Sequence, residues 1–495
     1  MMKNIKKKIK IKKKIVGMIH GVFDIIHYGH MLYFKEAKSK VDHLIVSVTS
    51  DRFVNKGPGK PIFKIDKRIE VLKSIKYIDE VIISDYATAV NNLKIIKPNY
   101  YIKGKDYKNL KKDLSRQILI EKKTVEKYGG EILFTKSKLY SSSAIANEEF
   151  EYINKEVKKT LNKINKKSFE QNFFKLAQKK LTNKILIMGD SIIDILRFIE
   201  ISGKSNKSSV IATKYLKEED NPGGVLLSSN FLNLFFQNVT LLYCGTSSDL
   251  IKIKKYLNKD IKIKHIKTKN KLIKKIRYTD IYSNQKVFQT NINESDQFTD
   301  KEEEKIITQI NKIKDNFDEI IFFDYGYVYS GKKFLKSIRK MSKKLTINCQ
   351  SNSYNFGYNL ADKFESGKII SMDEAEFRLV VRNKEDKIID LLRVRKKLFH
   401  KFKKLIITQG KNGCYLKKKG SIIHVPCVLN SSIDSTGAGD IFLSMYFIFK
   451  IAKKFSDYEA LLGSHVAAGL HSNQLGNRFD ISVIEIQKVI SSIIK

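Results

Sequence analysis

The sequence of 495 residues has no tryptophan, 5 prolines and 4 cysteines. Cys244, Cys349, Cys414 and Cys427 are far apart, with no Cys-x-x-Cys and no Cys/His spacing suited to a metal. A disulfide framework or a zinc module is therefore excluded, and the thiols read as reduced and mostly buried, as in a cytoplasmic protein. Gly/Ser-rich and Pro-rich tethers are missing too, which argues against freely swinging domains. No stretch has the length and apolarity of a membrane span. Val225 to Cys244 comes nearest but is broken by Ser228, Ser229, Asn230, Asn233 and Gln237. The lysine-rich start, Met1 to Lys14, followed by Ile15-Val16-Gly17-Met18-Ile19, imitates a leader peptide, but its apolar part is too short. The expectation is a soluble, cytoplasmic chain with no membrane partner.

Acidic residues are also scarce. Against 94 Lys and Arg stand 52 Asp and Glu, a formal charge of +42. Such an excess suits nucleic acid or an anionic surface. Here, however, lysine recurs along the whole chain, and no zinc, helix-turn-helix or RNA-binding motif accompanies it. We read it as compositional bias spread over surfaces, with no nucleic-acid partner expected. The 42% hydrophobic content is enough for packed cores, and the length calls for two to about four domains.

Two stretches carry chemistry. Gly21-Val22-Phe23-Asp24-Ile25-Ile26-His27-Tyr28-Gly29-His30 follows a short apolar strand, Ile15–Ile19, and leads into a helix expected over His30–Lys40. Strands at Leu44–Thr49, Val81–Ser84 and Tyr100–Ile102 alternate with a helix at Arg68–Ile75, the pattern of a parallel sheet, which gathers ligands at its carboxyl ends. Two imidazoles about one helical turn apart can hold the charge that builds on a triphosphate during nucleotidyl transfer. Gly29 between them allows close approach.

The second stretch is Asp434-Ser435-Thr436-Gly437-Ala438-Gly439-Asp440, ahead of an apolar run. It reads as a glycine turn opening a helix, where backbone N–H groups meet phosphate and a neighbouring carboxylate can take a hydroxyl proton. Strands at Ile185–Met188, Ile320–Phe323 and Leu405–Thr408, each with glycine near its end, give this half an α/β pattern as well. Gly203-Lys204-Ser205 is not a P-loop, because position 198 is Phe rather than Gly. Between the halves, Ile153, Val157, Leu161 and Ile164 are spaced as on an amphipathic helix, a connector or a dimerisation element.

The first stretch resembles the core motif of the cytidylyltransferase-like nucleotidyltransferases. Lys56–Pro61, Arg68, Lys103-Gly104-Lys105-Asp106-Tyr107, Gly129-Gly130-Glu131 and Ser141-Ser142-Ser143 resemble, in order, the adenylyltransferase half of the bifunctional heptose-phosphate kinase/adenylyltransferases. The resemblance implies that His27 and His30 stabilise the triphosphate and that Gly21, Phe23, Asp24 and Gly29 frame the nucleotide. Lys103, Gly104 and Asp106 would face it, and Ser142 and Ser143 would cap a helix on its phosphates; a plain helix cap is the other reading of the serines. Lys136–Tyr140 stands where cytidylyl members carry an Arg-containing run, which favours ATP, with CTP as the alternative.

The second half resembles the ribokinase-type carbohydrate kinases through Gly189-Asp190, Asp194, Gly223-Gly224 and the turn at 434–440. By that resemblance Asp440 is the base, Gly437, Ala438 and Gly439 form the anion hole, and Asp194, Gly223 and Gly224 serve the sugar. Thr408, Gly410 and Gly413 would lie along ATP. Where the family has Asn-x-x-Glu near magnesium, this chain has Asp373-Glu374-Ala375-Glu376, making Asp373 and Glu376 the Mg²⁺ candidates. The small residues that follow the glycine pair in heptose kinases are replaced by Val225-Leu226-Leu227, so a reshaped sugar pocket is expected.

The fold expected is α/β with two doubly wound domains: a Rossmann-like nucleotidyltransferase at 1–150, a helical linker at 151–183 and a ribokinase-like kinase at 184–495. The implied activity is nucleotide-sugar synthesis, with the two halves in reversed order relative to the bifunctional enzymes. Sugar phosphates and nucleoside triphosphates are the expected partners, and a homo-oligomer is compatible with the linker helix. The alternative is a cytidylyltransferase for an alditol phosphate, with the kinase fold as a binding module.

Overall fold

The computed structural model describes residues 14–54, 61–108, 117–136, 155–204, 208–293, 297–395, 398–429 and 432–494. The chain divides into two compact units, one of residues 1–155 with 487–495, the other of residues 156–486.

The first unit holds five parallel strands: β1 (Val16–Gly21), β2 (His43–Thr49), β3 (Glu80–Ser84), β4 (Tyr100–Lys103) and β5 (Glu131–Phe134). Their order is β3-β2-β1-β4-β5. The connections run outward from β1 in one direction through β2 and β3, then return to its other side at β4, so the switch point lies between β1 and β4. Alternation along the strands fills two cores. Ile19, Leu44, Val46 and Ile102 pack on one face with Phe34 and Leu72, and Met18, Ile45 and Tyr101 pack on the other with Leu93 and Val125. The first helix runs Tyr28–Lys38, two residues earlier than the sequence suggests, because His27 already has the extended backbone of an N-cap.

The second unit is built on a nine-stranded sheet: β6 (Leu181–Gly189), β9 (Phe236–Gly245), β10 (Lys262–Lys267), β13 (Glu319–Asp324), β14 (Leu345–Cys349), β15 (Gly367–Asp373), β16 (Phe402–Thr408), β17 (Cys414–Lys418) and β18 (Ser421–Val425). The order is β10-β9-β6-β13-β14-β15-β16-β17-β18, parallel except for the antiparallel edge β17–β18. A second sheet of four strands, β12-β11-β7-β8, comprises β7 (Ser191–Lys204), β8 (Ile211–Gly224), β11 (Ile273–Asp280) and β12 (Lys286–Ile292). No alternating pattern marks this small sheet in the sequence, since much of β8 is exposed and charged.

The apolar stretch nearest a membrane span is a buried helix, Val225–Phe235, followed directly by β9. Among the described residues no helix is long and apolar enough to cross a membrane. The amphipathic segment forms helices Lys155–Leu161 and Lys166–Gln178, and the second inserts Phe169 and Phe173 against Phe235, Phe449 and Phe455. In the same unit the half-buried Asp457 pairs with Lys404, Lys418 and Lys450, drawn from β16, β17 and the helix Ala438–Ala452. Burial works to raise this carboxyl, but the three ammonium groups prevail and hold it far below the usual range. None of the four cysteines is disulfide-bonded.

Candidate active sites

In the first unit β1 ends at Gly21, and the loop that follows bends sharply at Phe23, whose φ is 51°. Phe23 is driven inward, packing on Phe34 and on the edge of His30. Arg68, buried in the helix Ile65–Lys73, fixes this loop by donating to the carbonyls of Val22, Phe63 and Thr49 and to Asp51. The imidazoles of His27 and His30 lie side by side at the helix start, ring centroids 4.0 Å apart, and the His30 amide donates to the His27 carbonyl. Burial lowers the His27 pKa, so this ring takes up a proton less readily than a free imidazole. A third imidazole, His20, is buried beside them in sequence and contacts Ser47 at 3.0 Å. Burial, with the nearby charge of Lys103, takes it down to about 3.

Two residues expected on the nucleotide are committed inside the protein. Asp24 accepts from the amides of Ile62 and Phe63, both at 2.9 Å, which satisfies a buried carboxylate with backbone donors. Lys103 pairs at 3.2 Å with buried Glu121, which also accepts from the Tyr101 hydroxyl. Gly104 links β4 to the short turn Lys105–Lys108 that contains Asp106. Ser142 and Ser143 lie outside the described residues.

In the second unit the turn 434–440 is closed by its own side chains. Asp434 accepts from the Thr436 amide and hydroxyl and from the Gly476 amide, and it pairs with Lys286 of β12. Burial opposes its ionisation, but Lys286 and Thr436 outweigh it and hold the carboxyl at about 2. Gly437 has φ 75°, and a Cβ there would meet Asn477 Oδ1 at 2.3 Å and His471 Nε2 at 2.9 Å, so only glycine fits. Helix Ala438–Ala452 starts at once, and Asp440 lies buried in its first turn.

Asp440 accepts from Asn348 Nδ2 at 2.8 Å and Gln350 Nε2 at 2.7 Å, with the Tyr325 hydroxyl beside it. Burial pushes its carboxyl up to about 7 against the pull of Tyr325, Asn348, Lys275 and Gln350. That is the range a general base needs near neutrality. Asp190 is held the same way, raised to about 7 by burial and by Asp324. It accepts from the amides of Tyr325, Tyr327 and Val328 and so fixes the strand end that carries both tyrosines.

Asp194 on β7 accepts from Arg277 of β11 and from Asn477. Gly223 permits this packing, since a Cβ would come within 2.3 Å of the Asp194 carboxylate. Gly224 follows as the N-cap of helix Val225–Phe235. Thr408 ends β16, and Gly410 and Gly413 form the turn into β17.

Asp373 is the N-cap of helix Glu374–Val381 and Glu376 its third residue, and each side chain accepts the other's backbone amide. Glu376 accepts from Ser351 as well, and burial with the neighbouring Asp373 raises its pKa. The pair thus closes a helix cap, and among the described residues no group of three or more His, Cys, Asp or Glu is placed to hold a metal ion.

Several site residues escaped sequence reasoning: Lys275, Arg277, Lys286, Tyr325, Asn348, His471 and Asn477. Only the alternation Lys275-x-Arg277 on a strand could have pointed to two of them.

Residues 18–148 match the family model described as cytidylyltransferase-like, and residues 258–468 match that of the pfkB family carbohydrate kinases. The chain carries one domain of each family. It is 38% identical over 123 residues to the bifunctional protein HldE of Pseudomonas syringae pv. tomato, covering 24% of each chain. With HldE of Pseudomonas putida (strain GB-1) the identity is 43% over 98 residues, 19% of this chain and 20% of the relative. The match thus spans about a quarter or less of these curated relatives. Among solved structures, phosphofructokinase-2 from Escherichia coli with potassium is similar at a TM-score of 0.49 and 13% identity, over 63% of this chain and 99% of that one. Ribokinase from Thermotoga maritima gives 0.45 and 16%, over 61% and 98%.

Proposed function

We propose that the chain is a bifunctional enzyme of nucleotide-sugar synthesis, acting in the cytoplasm. Its kinase unit phosphorylates a heptose-like sugar phosphate, and its nucleotidyltransferase unit joins a sugar 1-phosphate to a nucleotide. One observation carries the kinase reading: Asp440 is buried, tuned to about 7 and placed in the first turn of a helix opened by a left-handed glycine. Its carboxylate takes the proton of the acceptor hydroxyl as that oxygen attacks the terminal phosphorus, while the helix-start amides of Gly437, Ala438 and Gly439 receive the charge on the transferred group. ADP leaves. Magnesium would arrive on the nucleotide phosphates; Asp373 and Glu376 are not assigned as its direct ligands.

In the first unit an oxygen of the sugar phosphate attacks the α-phosphorus of the triphosphate, and pyrophosphate departs. His27 and His30, adjacent at the helix start beside the sheet's switch point, donate to the oxygens that gain charge. ATP is the expected nucleotide. Incubation with ATP, Mg²⁺ and heptose 7-phosphate should release ADP, and a sugar 1-phosphate with ATP should release pyrophosphate. No ADP with any sugar phosphate would sink the kinase assignment. The capped pair Asp373/Glu376 favours a second reading, in which only the first unit is active, as a cytidylyltransferase. CTP-dependent pyrophosphate release without ADP formation would select it.

A further inference from the structure

Helix Asp457–Ser472 ends beside the glycine turn, and His471 in its last turn is fully buried there. Its Nε2 lies 3.0 Å from the Thr436 carbonyl and 3.3 Å from Asn477 Oδ1. A carbonyl can only accept. The Asn477 amide oxygen is an acceptor too, because the nitrogen of that amide donates to Asp194. Nε2 therefore carries the proton. Nδ1, on the other side of the ring, is buried and makes no hydrogen bond among the described residues, and burial lowers the ring's pKa. His471 is thus a neutral donor aimed at the turn.

The Ala438 amide donates to the Ser435 carbonyl at 3.1 Å, which closes a four-residue turn, Ser435-Thr436-Gly437-Ala438. Gly437, third in it, has φ 75° and ψ −4°, and Thr436 lies outside the left-handed region, so the turn is type II. Types I and II differ chiefly in the central peptide, here Thr436–Gly437, which is turned over between them. Glycine admits both signs of φ about equally, so Gly437 permits the type II form without selecting it. Asp434 grips the Thr436 amide, one peptide earlier, and leaves the central one to rotate. His471 selects. It draws the Thr436 carbonyl toward itself, and in a planar trans peptide the Gly437 N–H then points the opposite way. The Ala438 hydrogen is already shared with Ser435, so the direction of the Gly437 N–H counts for more.

We propose that His471 is a positioning residue for phosphoryl transfer: its Nε2–H locks the Thr436–Gly437 peptide so that the Gly437 amide faces the transferred group. With the peptide turned over, a carbonyl would meet that group where a donor is needed. This rests on the kinase reading above and adds to it the device that orients the anion hole. His471, buried behind the turn, acts through that peptide.

The test combines turnover with binding. With ATP, Mg²⁺ and heptose 7-phosphate, His471→Leu should lower kcat by ~10²–10³, the loss typical of one oxyanion donor, with little change in KM. His471→Gln, whose amide nitrogen stands as many bonds from Cβ as Nε2 does, should restore most of kcat. Without turnover, isothermal titration should show wild type binding Mg-ADP with fluoroaluminate, a mimic of the transferred group, more tightly than Mg-ADP alone. His471→Leu should lose most of that gain at unchanged Mg-ADP affinity, and His471→Gln should keep it. Wild-type behaviour of His471→Leu in both assays, a change confined to KM, a loss that His471→Gln does not repair, or no fluoroaluminate gain in wild type would overturn the proposal. If His471→Leu does not fold, His471→Asn, whose amide is too short to reach Thr436, takes its place. The two readings fail separately. A gain lost in His471→Leu and regained in His471→Gln, with no ADP formed from any sugar phosphate, keeps the lock and rejects the sugar kinase; ADP formed equally by wild type and His471→Leu does the reverse.

Discussion

Lys286 donates to Asp434 at 2.6 Å and to Thr436 at 2.8 Å, so the edge strand β12 of the small sheet is pinned to the turn that opens helix Ala438–Ala452. Asp434 in turn accepts from the Gly476 amide, and Asn477 next to it donates to Asp194. Asp194 on β7 and the turn at 434–440 are thereby joined through the adjacent residues Gly476 and Asn477.

Lys286→Met should leave Asp434 without its cation and cost about 1–3 kcal/mol at pH 7, the usual penalty for an abandoned polar partner. The folded pKa of Asp434, about 2, lies below its unfolded value, so the pair's contribution is present above that value and disappears as pH falls through 2. Urea unfolding of wild type and variant should therefore differ at pH 7 and converge in strong acid. Equal stability at pH 7 would show the link to be idle.

Asp440→Asn should lower sugar phosphorylation by ~10²–10⁴ and leave pyrophosphate release from the other unit unchanged. In wild type the kinase rate should climb as pH rises through about 7, because the base acts as the carboxylate. The sign for stability is opposite. A carboxyl raised in the folded state stabilises below its unfolded pKa and loses that contribution as pH rises through 7. Asp440→Asn should thus melt no lower than wild type at pH 8, by calorimetry.

His30→Ala should reduce nucleotidyl transfer by ~10²–10³, the loss typical of one oxyanion donor, and spare ADP formation. A pyrophosphate-release assay checks this. A variant that lost both activities would instead report misfolding.

The motifs that were legible in the sequence owe this to rarity. Nine histidines in 495 residues make His27-x-Gly29-His30 stand out, and an acid–glycine turn of seven residues has few competitors. The apolar runs of β1 and β2 were plain as well, whereas β5 and the helices Val90–Ile96 and Gln117–Lys127, short or mixed in polarity, were not. Lys275 and Lys286 were hidden for the opposite reason: in a chain rich in lysine, the two that face Asp194 and Asp434 look like the rest. Asn477 could not be tied to Asp194 across 283 residues without the fold. Asp24, Lys103 and the pair Asp373/Glu376 have the residue types a ligand would want. Only the structure shows that backbone amides or a buried glutamate already engage them.

Gly437→Ala should abolish phosphoryl transfer and destabilise the second unit by about 1–3 kcal/mol. Alanine is strained at φ 75°, and its methyl would press on Asn477 and His471. A lowered melting transition together with lost ADP formation is the expected pair of results, and wild-type kinetics would show that the turn has a second accessible shape.

The Asp457 knot has a wider meaning for a protein so poor in acids. One carboxylate there anchors ammonium groups from three separate elements, converting mutual repulsion into cross-bracing. Such hubs let a sequence drift toward lysine while its interior stays electrically balanced, but they concentrate risk. Where a chain with even charge would lose a single contact, the loss of this one side chain would set three like charges against each other where three elements meet.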